Sequence, residues 1–233
     1  MTTKLSRRGT LALFVSGAAS SISLPAFAWH PGTNQPAAPQ ASMPRRNQVP
    51  EPEAQFGAIP LRDSDAVLGN PNAPVTLIKY GSLTCPHCAA FHVAAAAEMK
   101  RDHIPNGRVR YIHRHFPLNQ PAMAAAMLLH SGNGSSERFY ALLDILYAEQ
   151  SRWAAEQDYI SALRQIAART GVNGDAFNTI LSDRALAERI VAERDEGTES
   201  FGVSATPTLL INGGRYGGNR DIAQLDLIFD RVS

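Results

Sequence analysis

The sequence has little cysteine, no charge excess and no long apolar run. Two cysteines occur in 233 residues, and the formal net charge is +1. The balanced charge argues against a nucleic-acid partner, which usually leaves a basic excess or patch. No uninterrupted apolar stretch approaches the roughly 20 residues that cross a bilayer, so a protein soluble after processing is expected. At 44% hydrophobic, the chain can bury one good-sized core, and a single domain follows.

The N-terminus has the layout of a targeting segment. Lys4, Arg7 and Arg8 form a positive region, Leu11 to Leu24 is mildly apolar, and Ala26-Phe27-Ala28 offers small residues around one large one. A signal peptide over 1–28 with cleavage after Ala28 is expected, placing the mature protein in the periplasm or another exported envelope compartment. Ser6-Arg7-Arg8 is similar to the start of a twin-arginine signal. Thr10 stands where that motif usually has a large apolar residue, so Sec export stays open.

Residues 29–60 are crowded with Pro, Gln and Ala and show no hydrophobic period, which predicts a flexible linker. The folded region is placed at 61–233. Pro74 to Tyr80 is β-branched and apolar and reads as a buried strand. The cysteines follow, and then a helical stretch from Ala89 to Arg101. Val109 to Phe116 is a second strand, ended by Pro117. From Gln120 to about Gly202 the pattern is helical. Thr208 to Ile211 is again strand-like, Asn212-Gly213 is a strong hairpin signal, and Asp221 caps a last helix. This order fits an α/β or α+β sandwich around a small sheet with a helical insertion.

Cys85-Pro86-His87-Cys88 carries the chemistry. A loop this short gives little chain-entropy stabilisation, so a structural staple is a poor purpose for it. A structural zinc site wants about four ligands, and no second cysteine pair exists to join Cys85, Cys88, His87 and His92. Covalent haem attachment wants His directly after the second cysteine, where this chain has Ala89. A redox-active dithiol/disulfide remains. Cys85 falls at the start of a predicted helix, whose free N–H groups and dipole favour its thiolate. Pro86 suits a helix start, and His87 adds donors and, when protonated, positive charge. Downstream, Pro207 opens a strand, and a cis Thr206-Pro207 bond would free the Thr206 backbone to pair with an extended substrate beside the disulfide. His113 and His115 share a strand face and read as surface or core residues rather than metal ligands. The glycine-rich run from Gly213 to Gly218 reads as a hairpin, because no helix follows it as a dinucleotide fingerprint requires.

Tyr80-Gly-Ser-Leu-Thr-Cys85-Pro-His-Cys88, Phe91-His92, Arg114-His-Phe-Pro-Leu118 and Gly202-Val-Ser-Ala-Thr-Pro207-Thr-Leu-Leu-Ile-Asn212 together resemble the DsbA-like branch of the thioredoxin superfamily. The resemblance implies a thioredoxin fold, a small central mixed sheet flanked by helices, with an all-helical domain inserted at about 120–202. It implies a thiol:disulfide oxidoreductase with Cys85 as the attacked or attacking sulfur, Cys88 as the buried resolving one, and Thr206 and Pro207 as the family's cis-Pro pair. The expected function is introduction of disulfides into reduced or unfolded exported proteins by a monomer. No cofactor or metal is expected beyond the Cys85–Cys88 disulfide, and reoxidation would come from a quinone-linked membrane partner of the DsbB type. The alternatives are an envelope reductase or isomerase and a non-catalytic peptide-binding protein. Isomerases of the superfamily generally carry a large N-terminal dimerisation domain, for which the Pro-rich linker leaves no room. One departure stands out. Many relatives have a buried acid six residues before the first cysteine, and this chain has Lys79. The preferred reading is a strand lysine with its head in solvent; the other places it near the cysteines, favouring thiolate.

Overall fold

The computed structural model describes residues 48–233; the expected signal peptide and most of the expected linker lie outside them. Six strands form one mixed sheet: β1 (Ala54–Gln55), β2 (Val67–Leu68), β3 (Val75–Gly81), β4 (Val109–His115), β5 (Thr208–Ile211) and β6 (Gly214–Gly217), in the order β1-β6-β5-β3-β4-β2. β3 lies at the centre, parallel to β4 with Lys79 opposite His113, and antiparallel to β5 with Lys79 opposite Leu209. Its apolar run is nearly continuous because both faces are covered. Val75 and Leu77 enter the larger core with the helices; Ile78 and Tyr80 enter a second core with Ile112, Phe201 and Leu210. Asn212 (φ 43°) and Gly213 (φ 85°) make the two-residue turn between β5 and β6.

Between β3 and β4 run α1 (Pro86–Val93) and α2 (Ala95–Asp102), which break at Ala94 where the sequence pattern suggested one helix. Between β4 and β5 the chain is helical: α3 (Gln120–Leu128), α4 (Ser136–Ala148), α5 (Tyr159–Arg169), α6 (Gly174–Leu181) and α7 (Arg184–Phe201), with 3-10 turns at Leu129–Gly132 and Gln150–Arg152. A last helix, α8 (Ile222–Val232), completes the chain. This is the thioredoxin fold with a helical insertion. Each helix from α3 to α8 has a side-chain N-cap, supplied by Asn119, Ser135, Asp158, Asn173, Asp183 and Asp221 in turn.

The boundary at Leu61 moves toward the N-terminus. Residues 50–60, expected to be linker, are bound to the domain. Ala54 and Gln55 pair with Arg215 and Gly214, and Phe56 meets Phe201 edge-on with ring centroids 5.4 Å apart. The buried Arg114 of β4 donates to the Pro60 carbonyl at 2.9 Å and to Asp65 at 2.8 Å. Composition concealed this because Phe56, Ile59 and Leu61 are too widely spaced to make a period, yet all three pack on the second face of the sheet.

Candidate functional site

Among the described helices, α1 alone begins on a cysteine. Cys85 is its N-cap residue, with extended backbone (φ −79°, ψ 120°), Pro86 occupies the first turn, and no side chain caps the end. The N–H groups that a Ser or Asp oxygen would take are therefore left facing a sulfur. Cys88 lies one turn on and is completely buried, while Cys85 is 7% exposed; both are free thiols.

The two sulfurs are shifted in opposite directions. Cys85 is lowered from the ordinary thiol range to about 5, first by the hydrogen bond from the Cys88 thiol, then by Thr206 and by the backbone N–H groups of Cys88 and His87. Cys88 is pushed far up, first by that same bond to Cys85 and then by burial. The His87 ring is exposed, and it is the residue's backbone amide that acts on the sulfur.

Thr206 and Pro207 arrive from the far side of the insertion. The Thr206–Pro207 bond is cis, and the Cys85 thiol donates to the Thr206 carbonyl at 3.3 Å. The sheet explains the meeting: β3 delivers Cys85 at its C-terminal end, and antiparallel β5 begins beside it, with Thr208 opposite Tyr80.

Lys79 overturns the reading of a solvated head. Its side chain is wholly buried, on the face of β3 that looks into the larger core. Its Nζ has no hydrogen-bond partner and lies 4.4 Å from the Tyr147 ring centroid and 5.3 Å from that of Phe91. Burial lowers its pKa to about 8, opposed first by the negative charge of Cys88 and then by that of Cys85. Gly81 makes the space: a Cβ there would stand 2.9 Å from Lys79 Cε, 3.0 Å from His113 Cε1 and 3.1 Å from the Tyr147 hydroxyl. A strand of alternating residues cannot send a long side chain to solvent when helices cover that face.

The structure thus gathers Cys85, Pro86, His87, Cys88, Thr206, Pro207 and Lys79 at one end of the sheet. It adds residues the sequence reading missed. The Gln150 amide donates to the Leu83 carbonyl at 2.7 Å and to the Cys85 carbonyl at 3.0 Å. Tyr147 donates to the Ser82 carbonyl at 3.3 Å, and the Thr84 hydroxyl donates to Asn119 Oδ1 at 3.2 Å. No motif marks Gln150, Tyr147 or Asn119, which are 35 to 67 positions from the loop residues they bind.

The histidines are structural in placement. His92 Nε2 lies 2.6 Å from Asp144 Oδ1. His113 and His115 are buried, and His115 Nε2 is 3.0 Å from His130 Nε2. Among the described residues, no group of three or more His, Cys, Asp or Glu side chains is arranged to hold a metal ion. No helix among them is long and apolar enough to cross a membrane.

A family model described as "Thioredoxin" matches residues 62–231. The crystal structure of Wolbachia pipientis alpha-DsbA1 is similar at a TM-score of 0.70 and 30% identity, covering 75% of this chain and 92% of that one. A protein-disulfide isomerase from Novosphingobium aromaticivorans gives a TM-score of 0.61 at 27% identity, covering 74% of this chain and 100% of its own. A Rickettsia bellii protein named "Putative protein-disulfide oxidoreductase" is 28% identical over 166 residues, 71% of this chain, and the match spans 64% of that relative's length.

Proposed function

Given that this chain belongs to the thioredoxin family, in its DsbA-like branch, we propose that it is a periplasmic thiol:disulfide oxidoreductase that introduces disulfides into exported proteins. The observation that carries this reading is the pairing of a Cys85 thiol lowered to about 5 with a buried Cys88 pushed far up. A low pKa at the outer sulfur makes it a good leaving group and favours the dithiol over the disulfide, so the oxidised pair takes electrons readily.

In the first step a substrate thiolate attacks Cys85 of the disulfide. A substrate–Cys85 bond forms, the Cys85–Cys88 bond breaks, and Cys88 leaves as a thiolate that takes up a proton. The Lys79 ammonium supports that departure, since Cys88 is the first charge it responds to. In the second step another substrate thiolate attacks the substrate sulfur, and Cys85 is expelled as thiolate. Two substrate thiols are oxidised to one disulfide, and the protein's disulfide is reduced to the dithiol. An extended substrate backbone would meet Thr206 beside the cis bond, next to Cys85. The pair itself is the redox centre, so the reaction needs no further cofactor or metal. Reoxidation needs an external acceptor, for which a quinone-linked membrane protein of the DsbB type is the proposed partner. The protein acts as a monomer, after export and cleavage behind Ala28.

The test is catalysis of disulfide formation in a reduced, unfolded substrate, together with equilibration of the pair against glutathione. An oxidant sits well above thioredoxin's roughly −270 mV; a value near that would move the reading to a reductase. Cys85→Ser is expected to abolish exchange, and Cys88→Ser, whose Cys85 thiolate attacks the disulfide of an oxidised test substrate and expels one thiolate, to trap a mixed disulfide. Likeness to the Novosphingobium isomerase keeps isomerisation as the second reading, which rescue of a scrambled substrate without net oxidation would favour. Mass spectrometry of the mature protein tests export: an intact Met1 would overturn cleavage.

A further inference from the structure

A loop that presents a reactive sulfur must hold its own carbonyls, because any that swing free would redirect the amides beside that sulfur. The carbonyls of Ser82, Leu83 and Cys85 can be accounted for individually. Ser82 accepts from the Cys85 amide at 3.2 Å and from the Tyr147 hydroxyl. Cys85 accepts from the Ala89 amide at 3.1 Å, as the first carbonyl of α1. The remaining contacts come from one side chain: the two N–H bonds of the Gln150 amide are divided between the Leu83 and Cys85 carbonyls, at 2.7 and 3.0 Å.

We propose that Gln150 is a positioning residue for the exchange reaction, a fork from the helical insertion that locks the turn in which Cys85 caps α1. It touches no sulfur, so its action passes through the backbone. The Cys85 carbonyl belongs to the peptide that joins Cys85 to Pro86, and its direction fixes where the His87 and Cys88 amides point. Those amides are among the groups that stabilise the Cys85 thiolate. Because Pro86 has no N–H, the peptide plane between the two residues can be held only by its carbonyl. Gln150 lies in the 3-10 turn after α4, so the insertion sets the reactivity of the sulfur as well as covering it.

The inference rests on Cys85 being the reacting sulfur. Gln150→Met keeps the length of the side chain and removes both donors. Gln150→Glu keeps the shape and turns an acceptor toward the two carbonyls. In a thiolate absorbance titration of the reduced protein, Gln150→Met is expected to raise the Cys85 pKa by half a unit or more, about threefold or more in its acid constant, and Gln150→Glu to raise it further. Turnover with a reduced substrate falls by a similar factor at unchanged KM. A Gln150→Met protein that titrates and exchanges like the parent overturns the proposal, even if it melts earlier, since a merely structural contact moves only the melting. Should Gln150→Met be recovered unfolded, Gln150→Glu carries the same comparison. The titration needs only folded dithiol. A parent protein that fails to oxidise substrates therefore sinks the functional reading and leaves the clamp standing, whereas unchanged titration in an active variant sinks the clamp alone.

Discussion

Cys85 and Cys88 are one helical turn apart, yet a single hydrogen bond between them lowers the thiol pKa of one and raises that of the other. Lys79 is the third member of this group. A buried ammonium with no hydrogen-bond partner costs stability, and the charge that most favours it is that of a Cys88 thiolate. Lys79→Met is therefore expected to stabilise the fold by about 1–3 kcal/mol in denaturant unfolding. The same change should slow mixed-disulfide formation by roughly threefold to tenfold, a shift of about half to one unit in the leaving thiol. A variant that is more stable and equally fast would remove Lys79 from the mechanism. Residue type and position raised the question of Lys79, but only the helices packed over its face decided that it is buried.

At the scale of elements, β3 and α1 form the working unit, and the strand's last residue is where they are tightest. Gly81→Ala would push a methyl against Lys79, His113 and Tyr147 at 2.9–3.1 Å. Such overpacking costs about 1–3 kcal/mol, to be read from the denaturant midpoint at constant slope. Because the neighbour displaced is Lys79, the variant should also lose exchange rate, as Lys79→Met does. An equal rate with lowered stability would show that the site tolerates movement of the lysine. Helix α1 differs from α3–α8 in having a thiol where they have an oxygen at the N-cap. This much was readable from the motif, whereas the break at Ala94 was not, since Ala-rich sequence favours helix on both sides of it.

For the molecule as a whole, the lowered Cys85 pKa links redox state to stability. An acid whose folded pKa is depressed stabilises the fold above its unfolded pKa, and that contribution is lost as pH falls through the folded value. Unfolded thiols titrate near 8.5 and Cys85 near 5, so the gain accrues between those limits. The buried His92, His113 and His115 and the half-buried His130, all lowered by desolvation, weaken the fold on acidification in both redox states and cancel in the difference. The melting temperature of the dithiol form minus that of the disulfide form is expected to rise steadily from pH 5 to pH 8; a flat difference would contradict a thiolate at Cys85. Raised Cys88 acts in the opposite sense above the ordinary thiol range, so the rise should end there. The N-terminal segment gives a second measurement at this scale. Removing residues 48–60 strips β1 from β6 and uncovers Phe201 and part of the second core. A loss of about 2–4 kcal/mol is expected from the apolar area of Phe56 and Ile59, whereas a true linker would leave the melting temperature unchanged.

The sequence by itself determined the local chemistry: a cysteine pair at a helix start, a proline at the head of the returning strand, the Asn212-Gly213 turn, and long helices between β4 and β5. These are legible because each depends on residues close together in the chain, through backbone dihedral preference, hydrophobic period or helix-end hydrogen bonding. Only the tertiary structure decided the burial of Lys79, the docking of residues 50–60 on the sheet, and the hold of Gln150 and Tyr147 on the Cys85 loop. Each is a contact between distant segments, fixed by which faces of β3 are covered and by the strand order that brings Thr206 to the sulfur. A side chain's type shows which partner it could take, and packing alone determines which partner is within reach.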